Sequence, residues 1–187
     1  MTDAGNMRVR TIRWLGALVL PLAAASAAAD PAPSVGSTWR QHFPEGSELA
    51  PIDALKPGEV AFSVRSKEGQ RLGWVLRTDT IAPVVKGYKD QIGIVVALTA
   101  ERVIIDVRVV TPNKETPKSF RRIRSGFYKQ FAGHKLDTPF TDIDAVTKAT
   151  KSSAAIIKDV ERSCRTLLDR VGSVPPHAQG APPAKDI

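Results

Sequence analysis

The sequence predicts an α+β domain: a twisted antiparallel sheet of about four or more strands, with helices packed on one side. Three observations carry this expectation. Four strand-like segments follow one another between residues 59 and 110, joined by short turn-rich links. After Pro117 the apolar residues change to helical spacing. A long amphipathic segment then runs through to Val171.

The elements follow in chain order. Glu59 to Val64 alternates apolar and polar residues, and Arg71 to Thr78 repeats the pattern around Trp74 and Leu76. Ser66-Lys67-Glu68-Gly69 between them is a turn signal, so the pair is expected to form a β-hairpin. Ile92 to Leu98 is a mostly apolar run and Val103 to Val110 is rich in β-branched residues, with Thr99 to Arg102 as their link. Phe120, Ile123, Phe127 and Phe131 are three, four and four residues apart, which puts them on one face of a helix stopped by Gly133. A second helix starts near Ser152 or Ser153, either of which could cap it. Its apolar face carries Ile157, Val160, Cys164, Leu167, Leu168 and Val171, and Gly172 ends it.

The length, 187 residues, suits a single domain, and no internal repeat is present. One cysteine cannot form an internal disulfide, so packing alone must hold the fold; Cys164 itself reads as a small core residue. Residues 1–29 have the form of a signal peptide. Arg8, Arg10 and Arg13 precede a short apolar run from Trp14 to Leu22, and Ala27-Ala28-Ala29 supplies a cleavage site. The other reading is an uncleaved anchor, but the run is short for a hydrocarbon core of about 30 Å and contains Pro21. Residues 30–36 form a flexible lead, the folded domain spans 37–171, and the proline-rich stretch 172–187 is too poor in apolar residues to offset its ordering entropy. Export makes the expected location periplasmic.

The formal charge of +8 falls to +6 when the leader is removed. A basic chain often meets nucleic acid, but an exported one does not, so an acidic protein, an anionic membrane face or a phosphorylated ligand is the expected partner. Lys114, Lys118, Arg121, Arg122, Arg124 and Lys129 gather around the first helix, either as a solvated face or as a rim that steers an acidic partner.

Motifs for hydrolytic or nucleotide chemistry are missing. His42, His134 and His177 are scattered, and there is no G-x-S-x-G, phosphate loop or G-x-G-x-x-G. The informative segment is Asp144-Ala145-Val146-Thr147-Lys148-Ala149-Thr150, followed by Lys151-Ser152-Ser153. It places hydroxyls and two lysines at a loop-to-helix junction, where free backbone N–H groups and the helix dipole favour a phosphate. The plain alternative is a helix cap.

That segment resembles the flavinylation motif of the FMN-binding domain family, Asp-x-x-Ser/Thr-Gly-Ala-Thr. The family includes subunits of sodium-pumping NADH:quinone oxidoreductase and the periplasmic domain of the nitrous-oxide reductase regulator. The similarity extends to Gly87-Tyr88 before the strand at Ile92, to Glu115-Thr116-Pro117, to Phe127 through Gly133, and to Phe43-Pro44 and Gly73 through Thr78. In order, these signals run from about Phe43 to Arg165.

The resemblance implies that FMN is the cofactor and that its phosphate is esterified to Thr150 by an exported flavin transferase, which draws on FAD. It assigns Asp144, Thr147, Lys148 and Ala149 to the attachment motif. Thr147 and Ser152 become candidates for hydrogen bonds to phosphate or ribityl groups. Glu115 and Thr116 resemble the segment that approaches the flavin ring, although Glu115 could equally be a solvated loop carboxylate. Tyr88 either stacks near the ring or is a half-buried core residue. Lys148 stands where the motif has glycine, and Lys118 where glycine usually follows Glu-Thr-Pro. If the backbone at 148 needs positive φ, lysine costs about 1–2 kcal/mol there; if not, Lys148 is free to pair with the phosphate.

The function expected is electron transfer to or from a periplasmic redox partner or a membrane electron-transport complex, by a carrier rather than an enzyme. A flavin-free binding or assembly module and a flavin reductase are the alternatives.

Overall fold

The computed structural model describes residues 35–110, 115 and 120–172. The leader 1–29, the lead 30–34, Lys114, Thr116, Lys118 and the tail from residue 173 lie outside the described residues.

Five strands form one antiparallel sheet in sequence order: β1 (Glu48–Pro51), β2 (Ala61–Arg65), β3 (Arg71–Arg77), β4 (Ile94–Thr99) and β5 (Ile104–Val109). The expected hairpins β2–β3 and β4–β5 are present. Gly69, at φ +81°, closes the first through the bond from its N–H to Ser66 O (2.9 Å), a conformation only glycine adopts without cost. The edge strand β1 was not anticipated. It has four residues, ends in Pro51 and is only half-buried at its centre, so it lacks the apolar alternation of its neighbours.

Strand periodicity sorts the sheet residues onto two faces. The cross-strand pairs Trp74–Leu98 and Leu76–Val96 lie on one face, with Ala61, Ile94, Ile104 and Val107. Two helices cover this face. The short α1 (Ser125–Lys129) supplies Phe127, which packs edge-to-face on Phe131 just beyond it, at 5.5 Å between ring centroids. The 22-residue α2 (Thr150–Val171) supplies Ile156, Val160, Cys164, Leu167 and Leu168. Burying side chains of this size contributes about 1.5–3 kcal/mol each. Ile156, not Ile157, sits at the centre of the α2 stripe; Ile157 is only partly buried beside it.

The opposite face has its own cover. Val64, Val75 and Ala97 pack against Val35 and Trp39, the latter on a 3-10 helix at Thr38–His42. Val35, expected in the flexible lead, is 2% exposed. His42 Nε2 lies 3.1 Å from Asp106 Oδ2 on β5, which ties this cover to the far edge of the sheet.

The first predicted helix is shorter than its spacing suggested. Phe120, Ile123, Phe127 and Phe131 all turn toward the core, but the run is broken: Phe120 is helical, Arg121 to Arg124 are not, and α1 begins only after Arg124, whose backbone is extended (ψ 174°). Gly133, at φ +88°, ends the segment as expected. No helix among the described residues is long and apolar enough to cross a membrane.

Candidate functional site

The start of α2 differs from the sequence expectation in a way that matters for chemistry. Helical structure begins at Thr150, and the N-cap is Ala149, whose buried methyl cannot accept a hydrogen bond; no side chain caps the helix. The expected capping serines lie inside the first turn and bond elsewhere. Ser153 Oγ accepts the N–H of Val146 (2.8 Å) and donates back to Ala149 O (3.0 Å), fastening the preceding loop to the helix. Ser152 Oγ donates to Glu115 Oε2 at 2.6 Å. Among the described residues, the first turn therefore keeps its N–H groups without a side-chain acceptor, at the end of the helix where the dipole is positive.

Thr150 is exposed, and its hydroxyl makes one long bond, 3.4 Å, to Val146 O. Lys148 and Lys151 are exposed on either side of it. Lys148 has φ +63°, the left-handed conformation that glycine would adopt freely. This settles the alternative left open by the sequence: the backbone at 148 keeps a glycine-type geometry, and lysine bears its cost. Asp144 and Thr147 are exposed in the same loop, and the Asp144 N–H donates to Gln130 Oε1 (2.9 Å), which joins the loop to the end of α1.

The long connection between β3 and β4 brings an aromatic ring to this corner. Tyr88 is 63% exposed, so the half-buried core reading is wrong. Lys151 Nζ sits 5.6 Å from the centroid of its ring, close enough for a cation–π contact.

Glu115 is not a solvated carboxylate. It is 4% exposed, and among the described residues its oxygens accept from Tyr88, Lys89, Asp90 and Ser152. Oε1 takes the N–H groups of Lys89 (2.8 Å) and Asp90 (3.0 Å); Oε2 takes the N–H of Tyr88 (3.3 Å) and the Ser152 hydroxyl. Burial by itself would raise this carboxyl, but the bonds from Ser152, Asp90, Lys89 and Tyr88 together outweigh it and hold Glu115 below the ordinary carboxylate range. The Ser152 hydroxyl has its one proton committed to Glu115. It therefore braces the site and is not a spare donor for a phosphate.

The structure thus gathers Thr150, Lys148, Ala149, Ser152 and Glu115 around the start of α2, with Asp144 and Thr147 in the loop leading to it. Sequence reasoning missed the bonds by which Ser153 fastens the loop, Lys151 as a partner of Tyr88, and the demand placed on Gly87. A Cβ at Gly87 would stand 2.7 Å from Glu115 Oε1 and 2.8 Å from Ile92 Cδ1. The Gly87-Tyr88 pair signalled the segment, but nothing local showed that a carboxylate from a distant loop fills the space beside it. Among the described residues no cluster of histidine, cysteine and acidic side chains could hold a metal ion.

Comparison with known proteins agrees with this geometry. Among curated proteins none matches the chain. Residues 87–164 match the sequence profile of the FMN-binding domain family, a span that opens on Gly87-Tyr88 and includes Glu115 and the Thr150 loop. This match, to the stretch from Gly87 to Cys164, supports FMN as the cofactor.

Proposed function

We propose that the chain is an exported electron-transfer protein whose FMN is held by an ester between its phosphate and Thr150. One observation carries this reading: an exposed threonine hydroxyl stands at the uncapped start of a 22-residue helix, flanked by Lys148 and Lys151, with the exposed Tyr88 ring beside it. The residues suit the group. First-turn N–H groups and two ammonium groups match a phosphate, and a solvent-facing aromatic ring offers a surface for the isoalloxazine to stack on. FMN supplies one- or two-electron chemistry when bound.

Attachment needs a transferase and FAD. Thr150 Oγ forms a bond to the phosphorus of the FMN half, the pyrophosphate P–O bond breaks, AMP leaves, and the hydroxyl proton passes to a base of the transferase. No electrons change hands. The weak bond to Val146 O leaves the hydroxyl available for this step. The left-handed backbone of Lys148 supports a working motif over a flavin-free descendant of the fold, because the loop keeps the family's glycine geometry despite the substitution.

The carrier's redox partner is an acidic protein or the acidic face of a membrane electron-transport complex. Lys89, Lys148 and Lys151 are exposed around the helix start, and Arg122, Arg124 and Lys129 are exposed around α1. A cationic surface of this kind speeds encounter with an acidic partner and loses that advantage in salt.

The test is expression with an exported flavin transferase. Wild-type protein is expected to gain the mass of FMN less water and to give a fluorescent band after denaturation. Thr150→Ala is expected to lose both and Thr150→Ser to retain them. Flavin that survives denaturation on Thr150→Ala would overturn the assignment.

A further inference from the structure

The proposed site depends on two parts of the chain far apart in sequence: the Tyr88 loop and the start of α2. Glu115 joins them. One carboxylate oxygen holds the N–H groups of Lys89 and Asp90; the other holds the Tyr88 N–H together with the Ser152 hydroxyl, two residues along the helix from Thr150. We infer that Glu115 is a positioning residue of the flavin site, a buried latch that fixes the Tyr88 ring relative to the hydroxyl that carries the cofactor. This inference rests on the functional reading above and gives Glu115 a role distinct from contact with the ring.

Three observations support it. The carboxylate is 4% exposed and accepts from three consecutive backbone amides, which fixes the loop's path as well as its distance. Gly87 leaves no room for a side chain between the loop and Glu115, so the approach is as close as the backbone permits. Lys151, next to Ser152, reaches over the Tyr88 ring and gives the loop and the helix a second connection on the solvent side. A loop whose aromatic ring is 63% exposed has little packing of its own to hold that ring in place.

Glu115→Gln separates the latch from bulk and fold. Glutamine keeps the shape and one acceptor oxygen, but its NH₂ group cannot accept from Tyr88 N–H. The milder Ser152→Ala removes only the link to the helix and serves should Glu115→Gln fold poorly. In flavin-free Thr150→Ala protein, Glu115→Gln is expected to speed amide hydrogen exchange at Tyr88, Lys89 and Asp90 at least tenfold, with β3 and β4 unchanged. In flavin-loaded protein with Thr150 intact, FMN should stay attached by mass. Its fluorescence yield should rise at least twofold and its visible circular dichroism should weaken, matching Tyr88→Leu, and the double variant should add nothing further.

Each failure has its own meaning. Wild-type protein that takes up no FMN overturns the functional reading and the latch's purpose with it. Wild-type protein that carries FMN, with a Glu115→Gln spectrum identical to wild type while Tyr88→Leu differs, overturns the latch alone. Unchanged exchange at residues 88–90 does the same.

Discussion

Replacing Lys148 tests whether the loop before α2 is held in a conformation its sequence opposes. Lys148 has φ +63° and an exposed side chain, so lysine incurs the left-handed penalty with no packing to offset it. That penalty is about 1–2 kcal/mol for a residue with a Cβ, whereas glycine escapes it. Glycine also makes the unfolded chain freer, at a cost of about 0.5–1 kcal/mol, leaving a net gain near 0.5–1 kcal/mol. For a domain of this size the melting temperature should rise by about 1–4 °C. Removing an ammonium from the positive end of α2 would itself help by about 0.3–1 kcal/mol, so Lys148→Ala is the control for charge. The expected order of stability is Lys148→Gly, then Lys148→Asn, then Lys148→Ala, because asparagine tolerates the left-handed region better than alanine. Thermal and denaturant unfolding of flavin-free protein would measure it. A glycine variant no more stable than the alanine variant would refute the argument, since the difference between them isolates the backbone.

Three further outcomes follow from contacts already described. Gly87→Ala should destabilise the domain by about 1–3 kcal/mol in denaturant melts, because its methyl would overlap Glu115 and Ile92; an unchanged midpoint would mean that the loop has slack. Glu115, held below its ordinary value of 4.5, contributes stability that is fully present above that value and lost as pH falls through its folded pKa. The melting-temperature gap between wild type and Glu115→Gln should therefore hold above about pH 4.5 and narrow as pH falls below it. Asp159 has the opposite sign: burial, with Asp79 nearby, pushes it above 3.8 despite the bonds from Thr78 and Val85, and its Oδ2 has no partner. Its charged form costs the folded state stability above that pH, so Asp159→Asn should melt higher at neutral pH and lose the advantage as pH approaches 3.8.

The strands that alternate apolar and polar residues were legible because one face of each must be buried. Strand β1 was not, since a short half-exposed edge carries little of that signal. The aromatic spacing after Pro117 found the right core residues but overstated the continuity of the helix: a turn can point Ile123 inward as well as a helix can. At α2 the sequence located the helix and misjudged its start. Ser152 and Ser153 have the composition of caps, yet their partners are Glu115 and the Val146–Ala149 loop, and only the first of these is distant in sequence. Glu115 was singled out as part of a motif, but its burial could not be read locally, because three of its donors come from a loop about 25 residues away.

The position of β3 bears on how this module can be handled. The span recognisable as FMN-binding, 87–164, begins after β3 and stops short of Leu167 and Leu168. Cut out at those limits, the fragment would leave β4 with a bare hydrogen-bonding edge and strip Trp74 and Leu76 from beneath α2. The stretch that identifies the protein is thus smaller than the stretch that folds. Grafts, fusions and minimal versions intended to carry a flavin should be drawn around the whole sheet, from Val35 through Val171.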